Sequence, residues 1–479
     1  MRMKILGLIL CLAVAGIFST YKLTESPKTW FDEGIFLQVA RNVLTYGSSV
    51  LRVSPTDVVP AQLYATVGFP VIAPISLSFH LFGIGLLQAR VVMVGYIVLL
   101  IAVCYLFVYR TWGFRVALLS TLIVATHAPL YGNGKNVLGE VPGLLFFFLL
   151  LSILYRLERR DGPARVLWIC GGLAAGTFMA TKPNFFLLAP ILGLVALVCR
   201  KRLGLTWEHF VCGALGFLVP LVMYVLTQFA GTSSIGEIFT SYSNPSGIQQ
   251  LTGLALPALV KKNLLLFVQQ STPAYLLLTF ATWVVYVGLR IRRKIQIPVH
   301  EVVALGFVAV TIAYFLKMPG FFRYFFVAQI ITFPYLVASL FAFVQRRQRR
   351  YAVTVIFIAL AVFQAYQTLF SSFVAGYYRN TRTAELTAYF DALPPSTHMF
   401  FYHAPEAVTF FHGEHYSQYF KVLYYNDAVG KAQLDRLRAG APDIVLMSAS
   451  MAEEARPFLA KYREDRTLDH GNYLIFERK

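Results

Sequence analysis

Residues 86–115, LLQARVVMVGYIVLLIAVCYLFVYRTWGFR, decide the fold. No residue between Arg90 and Arg110 is charged, and a helix over that run matches the thickness of a bilayer's hydrocarbon core. It ends on Arg110 and Arg115, the kind of flank that stays in the cytoplasm under the positive-inside rule. The pattern recurs along all 479 residues, with apolar runs closing on Arg156–Arg165, Arg200-Lys201-Arg202, Arg290–Lys294 and Arg346–Arg350. With 57% hydrophobic and 14% charged residues, the chain lacks the charge a soluble protein needs to cover its surface. It reads as a polytopic membrane protein. A net charge of +19 would suggest a nucleic-acid partner in a soluble protein, but its clustering between spans accounts for it, and no nucleic acid is expected.

Keeping every basic cluster on one side places spans near 4–21, 86–108, 114–130, 138–155, 166–181, 184–199, 209–229, 273–289, 299–316, 324–344 and 352–373. The first run is read as a retained helix with a cytoplasmic N-terminus, because no small-x-small cleavage site follows it. Residues 62–82 are apolar enough to span, yet a span there would invert the later clusters, and Pro60, Pro70 and Pro74 oppose a straight helix. They read as helices lying in the outer leaflet, so the first outer loop is 22–82 and the total is eleven to thirteen transmembrane helices. From about Tyr377 charges and prolines appear. Short apolar runs at His398–His403, Asp443–Met447 and Asn472–Glu477 alternate with helical stretches at 427–439 and 451–462, the pattern of a small extracytoplasmic α/β domain. The division is a transmembrane domain over 1–376 and a soluble domain over 377–479. The five cysteines sit in or beside apolar runs without metal-ligand spacing and read as buried thiols.

Charged side chains on the outer face are few. Asp32 and Glu33, in Trp30-Phe31-Asp32-Glu33, open an amphipathic stretch over Gly34–Leu44. Acids suit a helix N-terminus on electrostatic grounds alone, which does not exclude a catalytic role. Glu140 stands at the start of another apolar run, where a carboxylate is costly unless paired or functional, and Lys135 is near enough to be its partner or an anion ligand. Lys182 interrupts a bent pair of runs before Pro183, and Arg323 opens a late one in Phe-Phe-Arg-Tyr-Phe-Phe. Arg90 lies beside Gln88, and Arg41 and Arg52 fall in the first outer loop. Snorkelling to headgroups explains Lys261 and Lys262, but cations on the side that the positive-inside rule depletes invite an anionic partner. Outer acids and cations together fit a site that holds a phosphate and activates a hydroxyl. His412-Gly-Glu-His415 with His403 hints at a metal and reads more simply as surface histidines.

In order, Trp30-Phe31-Asp32-Glu33, Gly83–Arg90, Gly139-Glu140-Val-Pro, Gly172-Leu173 through Thr181-Lys182, and Arg323-Tyr324 resemble the lipid-linked-sugar glycosyltransferases of the GT-C type. The likeness is strongest to the branch of protein mannosyltransferases and the lipid A aminoarabinose and galacturonic acid transferases. It covers about residues 1–345 and implies a GT-C fold with Asp32 as general base, Glu33 and Glu140 as further catalytic acids, and Lys182, Arg323, Arg90 and Arg52 as ligands of the donor phosphate. Lys135, Tyr324 and Arg41 would be acceptor or supporting residues. Related enzymes differ in metal use; a divalent cation at Glu140 is possible and no cofactor is certain. The implied activity is inverting transfer of a monosaccharide from a polyprenyl-phosphate donor to an envelope glycolipid, glycan or protein. It would take place on the outer side of a bacterial inner membrane. The alternatives are a lipid-linked sugar transporter or flippase, which usually has mid-helix charges and inverted repeats, an oligosaccharide ligase or polymerase, or a non-catalytic assembly protein.

Overall fold

The computed structural model describes residues 2–60, 67–228, 254–318, 322–344, 347–420 and 427–479; the side chains of Arg2, Pro60, Tyr324, Arg347, Asp427 and Ala428 are outside that description. The expected outer loop from Ala230 to Ser271 therefore falls largely outside the described residues, as does the acceptor role expected of the Tyr324 side chain.

Helix α1 covers Arg2–Thr20, α2 Phe31–Tyr46, α3 Phe69–Phe82, α4 Leu86–Trp112, α5 Phe114–Thr126, α6 Ala128–Gly134, α7 Glu140–Arg159, α8 Ala164–Thr181 and α9 Leu188–Val198. Further long helices follow at Trp207–Gln228, Ser271–Arg292, Val299–Leu316, Arg323–Phe343 and Arg347–Tyr366. Among the described residues nine helices are long and apolar enough to cross a membrane, or ten if α5 and α6, bent by 58° at His127, form one span. The chain is thus an α-helical multi-pass membrane protein, and two expected possibilities fail the length test among the described residues: the span at 184–199 and a further span at 62–82. The apolar segment after Lys182 is broken into a 3-10 turn over Pro183–Leu187 and an α9 of 11 residues. The segment within 62–82 yields α3, only 14 residues long with Pro74 inside it, too short to span and packed on α2 and α4. The segment is helical, as expected, over residues 69–82.

Four of the basic clusters meet at one end of the bundle. Tyr155 Oη donates to the Arg110 carbonyl at 2.9 Å, and Arg202 bonds both Glu158 and the Ile297 carbonyl. Arg165 pairs with Glu208, so four separate loops are tied together there. At the opposite end stand the starts of α2 and α7 and the end of α8.

Strands β1 (Val50–Arg52) and β2 (Val58–Pro60) pair antiparallel after α2. The last hundred residues hold a five-stranded sheet in the order β4-β3-β5-β7-β6, where β3 is Met399–Tyr402, β4 Tyr416–Tyr419, β5 Ile444–Ser448, β6 Tyr462–Leu468 and β7 Tyr473–Arg478. Strand β3 runs parallel to both β4 and β5; β7 is antiparallel to β5 and β6. Phe400, Tyr402, Val445 and Met447 face a small core of the domain's own. Met399, Phe401, Leu446 and Ile475 face the other way, into one apolar cluster shared with Ile35 and Val39 of α2 and Phe79 of α3. A parallel strand buried on both faces carries a continuous apolar run, which is why these strands were visible in sequence.

Glycine permits a backbone-close contact in the bundle. A Cβ on Gly172 would stand 2.1 Å from the Gly213 carbonyl oxygen, and one on Gly216 2.2 Å from that of Ile169. The α8 and Trp207–Gln228 backbones therefore touch, and dispersion replaces the hydrophobic drive that lipid does not supply. Gly172→Leu is expected to lower the thermal unfolding midpoint in detergent by several degrees, whereas Gly193→Leu, with open space around it, leaves the midpoint unchanged.

Candidate active site

Helix α2 begins at Phe31, after Trp30 as its N-cap; Glu33 at the third position folds back and accepts from the Trp30 amide at 3.4 Å. Successive helical residues point about 100° apart, so Asp32 and Glu33 look in different directions. Glu33 turns inward and is fully buried. Its two oxygens take Arg90 Nε at 3.0 Å and Nη2 at 2.8 Å, and Oε1 also accepts from the Val137 amide at 3.2 Å. Arg90 gives its remaining protons to the carbonyls of Leu23 (2.7 Å) and Pro27 (2.9 Å) and to Asn136 Oδ1 (2.9 Å). All five guanidinium N–H groups are engaged. The geometry therefore assigns Arg90 and Glu33 to a buried clamp, in place of the phosphate and catalytic roles expected of them.

Asp32 turns outward, to the wall of a cavity of about 1300 Å³ between the helical bundle and the sheet domain. It pairs with Arg323, whose guanidinium also lies 5.9 Å from the Trp30 ring. Behind Arg323, a buried ion pair joins Lys182 to Glu140. These two residues and Arg323 border a second, much smaller space. Lys182 is delivered there because the residue before a proline is held extended, at φ −159° and ψ 138°, so the chain leaves the α8 axis at that point. Glu140 Oε2 is buried without a hydrogen-bond partner. Asp32, Arg323, Lys182 and Glu140, drawn from four helix ends, thus stand side by side with their charges balanced.

The other expected residues lie elsewhere. Arg52 donates to the Glu414 (2.8 Å) and Ser54 (3.0 Å) carbonyls and covers the Tyr416 ring at 5.1 Å, which fastens the first loop to the sheet domain. Arg41 is half-buried on α2 and does not line the cavity. Lys135 is fully buried and donates to the Tyr21 carbonyl at 2.7 Å. Burial, reinforced by the nearby Arg90 charge, pushes its ammonium down from 10.5 to about 7. Among the described residues no three His, Cys, Asp or Glu side chains gather closely enough to hold a metal ion.

The cavity also has polar lining that the sequence reading passed over: Lys28, Arg382, Glu406, Ser450 and Tyr473. The signal available for Glu406 was its place three residues beyond an apolar run that forms a parallel strand, in Ala404-Pro405-Glu406. In α/β sheets that is where ligands bind.

No protein-family model and no curated protein sequence matches the chain. Solved structures do. ArnT from Cupriavidus metallidurans bound to undecaprenyl phosphate superimposes with a TM-score of 0.67 at 14% identity, over 98% of this chain and 97% of that one. The chain has the GT-C fold. Apo ArnT gives 0.60 at 15% identity with the same coverage. The Archaeoglobus fulgidus oligosaccharyltransferase AglB, in complex with an inhibitory peptide and a dolichol-phosphate, gives 0.57 at 11% identity, over 99% of this chain and 74% of that one.

Removing one partner of a buried ion pair leaves an uncompensated charge, so Arg90→Met and Glu33→Gln are each expected to cost about 3–5 kcal/mol of stability, read as loss of folded protein on heating in detergent. Lys135 gives a pH test. The unfolded chain holds that proton to about 10.5 and the folded one releases it near 7. Between those values the unfolded state binds more protons and stability rises with pH. Wild type should therefore gain on Lys135→Met between pH 7 and pH 9; a constant difference would contradict the burial of a neutral amine.

Proposed function

We propose that this GT-C chain is an integral-membrane glycosyltransferase. It moves a monosaccharide from a polyprenyl-phosphate donor to a hydroxyl of an envelope acceptor. The pairing of Asp32 with Arg323 on the wall of a large cavity, with Lys182 and Glu140 directly behind, carries this reading. It places a carboxylate beside two cations, the combination that proton removal and phosphate departure require. The cavity also has an apolar lip: Phe363 and Phe373 line it and are half exposed, which suits a lipid tail. ArnT and AglB structures contain undecaprenyl phosphate and dolichol-phosphate respectively, which supports a polyprenyl carrier here.

In the proposed reaction the donor phosphate takes Arg323, with Lys182 in support, and frees Asp32. Asp32 then accepts the proton of the acceptor hydroxyl as its oxygen attacks the sugar C1. The C1–O bond to phosphate breaks, and polyprenyl phosphate departs with the bonding electrons. A single displacement inverts C1. The acceptor class comprises a lipid A or lipopolysaccharide core sugar, another envelope glycan, or a protein hydroxyl. The chain would sit in a bacterial inner membrane, arginine clusters in the cytoplasm and the cavity and sheet domain outside, following the positive-inside rule. A divalent cation at Glu140 Oε2 is compatible with this scheme and not required by it.

Asp32→Asn is expected to reduce transfer by a factor on the order of 10²–10⁴, the usual worth of a positioned general base, while bare undecaprenyl phosphate still binds. The assay is product formation by the purified chain in detergent, supplied with lipid-linked sugars and an envelope lipid and glycan extract and read by mass spectrometry. With no sealed compartment present, product made by wild type excludes a pure transporter. Unaltered transfer by Asp32→Asn would remove the base assignment.

A further inference from the structure

The carboxylate of Glu406 is held on one side only. Its Oε1 accepts from the Tyr473 hydroxyl at 2.7 Å and from Arg382 Nη2 at 3.1 Å, while Oε2 is buried and bonded to nothing. The residue is 8% exposed, and it lines the large cavity across from the helical bundle. Arg382, itself 4% exposed, is fixed from behind by Asp469 Oδ2 at 3.5 Å, by the Thr29 carbonyl at 3.3 Å and by the Tyr473 ring 4.7 Å away. This is a rigidly seated carboxylate with one unfilled acceptor atom. An unsatisfied buried acceptor costs about 1–3 kcal/mol, a cost that a hydrogen-bond donor arriving in the cavity removes.

The topology gives a second and independent reason. Glu406 follows β3, Ser448 ends β5 and Ala449 and Ser450 follow it; all line the cavity at the carboxyl ends of two adjacent parallel strands. The chain leaves β3 for β4 on one side and crosses to β5 on the other, so the strand order reverses there. The crevice outside the carboxyl ends at such a point is where open α/β sheets bind ligands. In this molecule that crevice is the roof of the membrane domain's cavity. Helix α2 keeps the two together. A Cβ on Gly34, two residues from Asp32, would stand 2.3 Å from Glu406 Cα, and Gln38 Nε2 donates to the Pro405 carbonyl at 2.9 Å.

We propose that Glu406, seated by Arg382 and Tyr473, is a sugar-recognition residue whose Oε2 accepts a hydrogen bond from a hydroxyl of a carbohydrate held under the sheet domain. The carbohydrate is either the sugar of the lipid-linked donor or a glycan acceptor; both present the same hydroxyl chemistry. The phosphate lies on the bundle side at Arg323 and Lys182, so Glu406 reads the sugar and not the carrier. Burial holds the Glu406 carboxyl above the usual carboxylate range, against the lowering effect of Arg382. A ligand donor at Oε2 stabilises the ionised form and lowers it again. The inference rests on the glycosyl-transfer reading and adds a residue that discriminates among sugars.

The test compares wild type, Glu406→Gln and Glu406→Asp as full chains in lipid nanodiscs. Three probes are titrated: bare undecaprenyl phosphate, undecaprenyl-phosphate hexoses, and core oligosaccharide released from lipopolysaccharide by mild acid. Glu406→Asp keeps the charge and retracts the oxygen by one methylene, and it carries the test if Glu406→Gln fails to fold. The expected result is a loss of about tenfold in affinity for one of the two carbohydrate probes, with bare undecaprenyl phosphate unchanged. The probe that weakens identifies donor sugar or acceptor glycan. In transfer assays the matching KM rises and kcat is nearly kept, which a purely structural role would not produce. If folded variants bind both carbohydrate probes as wild type does, or weaken all three equally, the inference fails. If wild type binds none of the three, the glycosyl-transfer reading itself fails.

Discussion

The buried pair of Glu33 and Arg90 is the constraint on which the site depends. Two charges are withdrawn from water, which is tolerable only when their remaining hydrogen-bonding capacity is satisfied. Satisfying it recruits the stretch after α1, through Leu23 and Pro27, and the turn before α7, through Asn136 and Val137. Three chain segments thus converge on a side chain of α4. Once Glu33 is pinned inward, helical periodicity leaves Asp32 no choice but to look into the cavity. The dipeptide works as one unit: the buried acid orients the one that lines the cavity.

The four charges around Arg323 suit a reaction in which charge grows on the leaving group. A sugar phosphodiester carries one negative charge, and the departing phosphate monoester gains a second as the bond to C1 breaks. Cations already neutralised by Asp32 and Glu140 bind the donor less strongly than free ones. In the proposed reaction they would respond as the phosphate becomes more negative and Asp32 takes up a proton. Interactions that strengthen along the reaction coordinate accelerate it, whereas uniform binding does not. The enclosed pair of Lys182 with Glu140 keeps the second cation close without leaving it exposed, since an unpaired ammonium at that depth would be prohibitively desolvated.

Much of this was legible in sequence because hydropathy and charge are one-dimensional signals. Most of the spans, the shared end of four basic loops and the strands at 399–402, 444–448 and 473–478 all follow from period, run length and flanking residues. Strand β6, Tyr-Arg-Glu-Asp-Arg-Thr-Leu, did not, because an exposed edge strand has no apolar alternation to show. In the site, Asp32, Lys182, Arg323 and Glu140 could be named from their exceptional positions beside apolar runs. The partners could not. That Arg90 serves Glu33, 57 residues away, and that Arg52 serves Glu414 are facts of tertiary geometry. Glu406 was hidden for a related reason: in a soluble domain a glutamate is ordinary, and only docking onto α2 makes this one buried.

That docking explains why a membrane domain with a site of this kind carries a sheet domain at all. Helix ends at a bilayer surface can supply an acid and a few cations, but they cannot enclose a hydrophilic substrate, because the space above them is water. The sheet supplies the missing wall. To do so it must be held to the fraction of an ångström that positioning demands, and the contacts that hold it are backbone-close. Gly34 lies against Pro405 and Glu406, Gln418 donates from its backbone to the Val53 carbonyl at 2.8 Å and from its side chain to Gln38 at 2.7 Å, and both sheet and helix share one apolar core. A residue larger than glycine at position 34 would push the roof away from Asp32. The same short helix therefore fixes the position of Asp32 from below and the height of Glu406 from above.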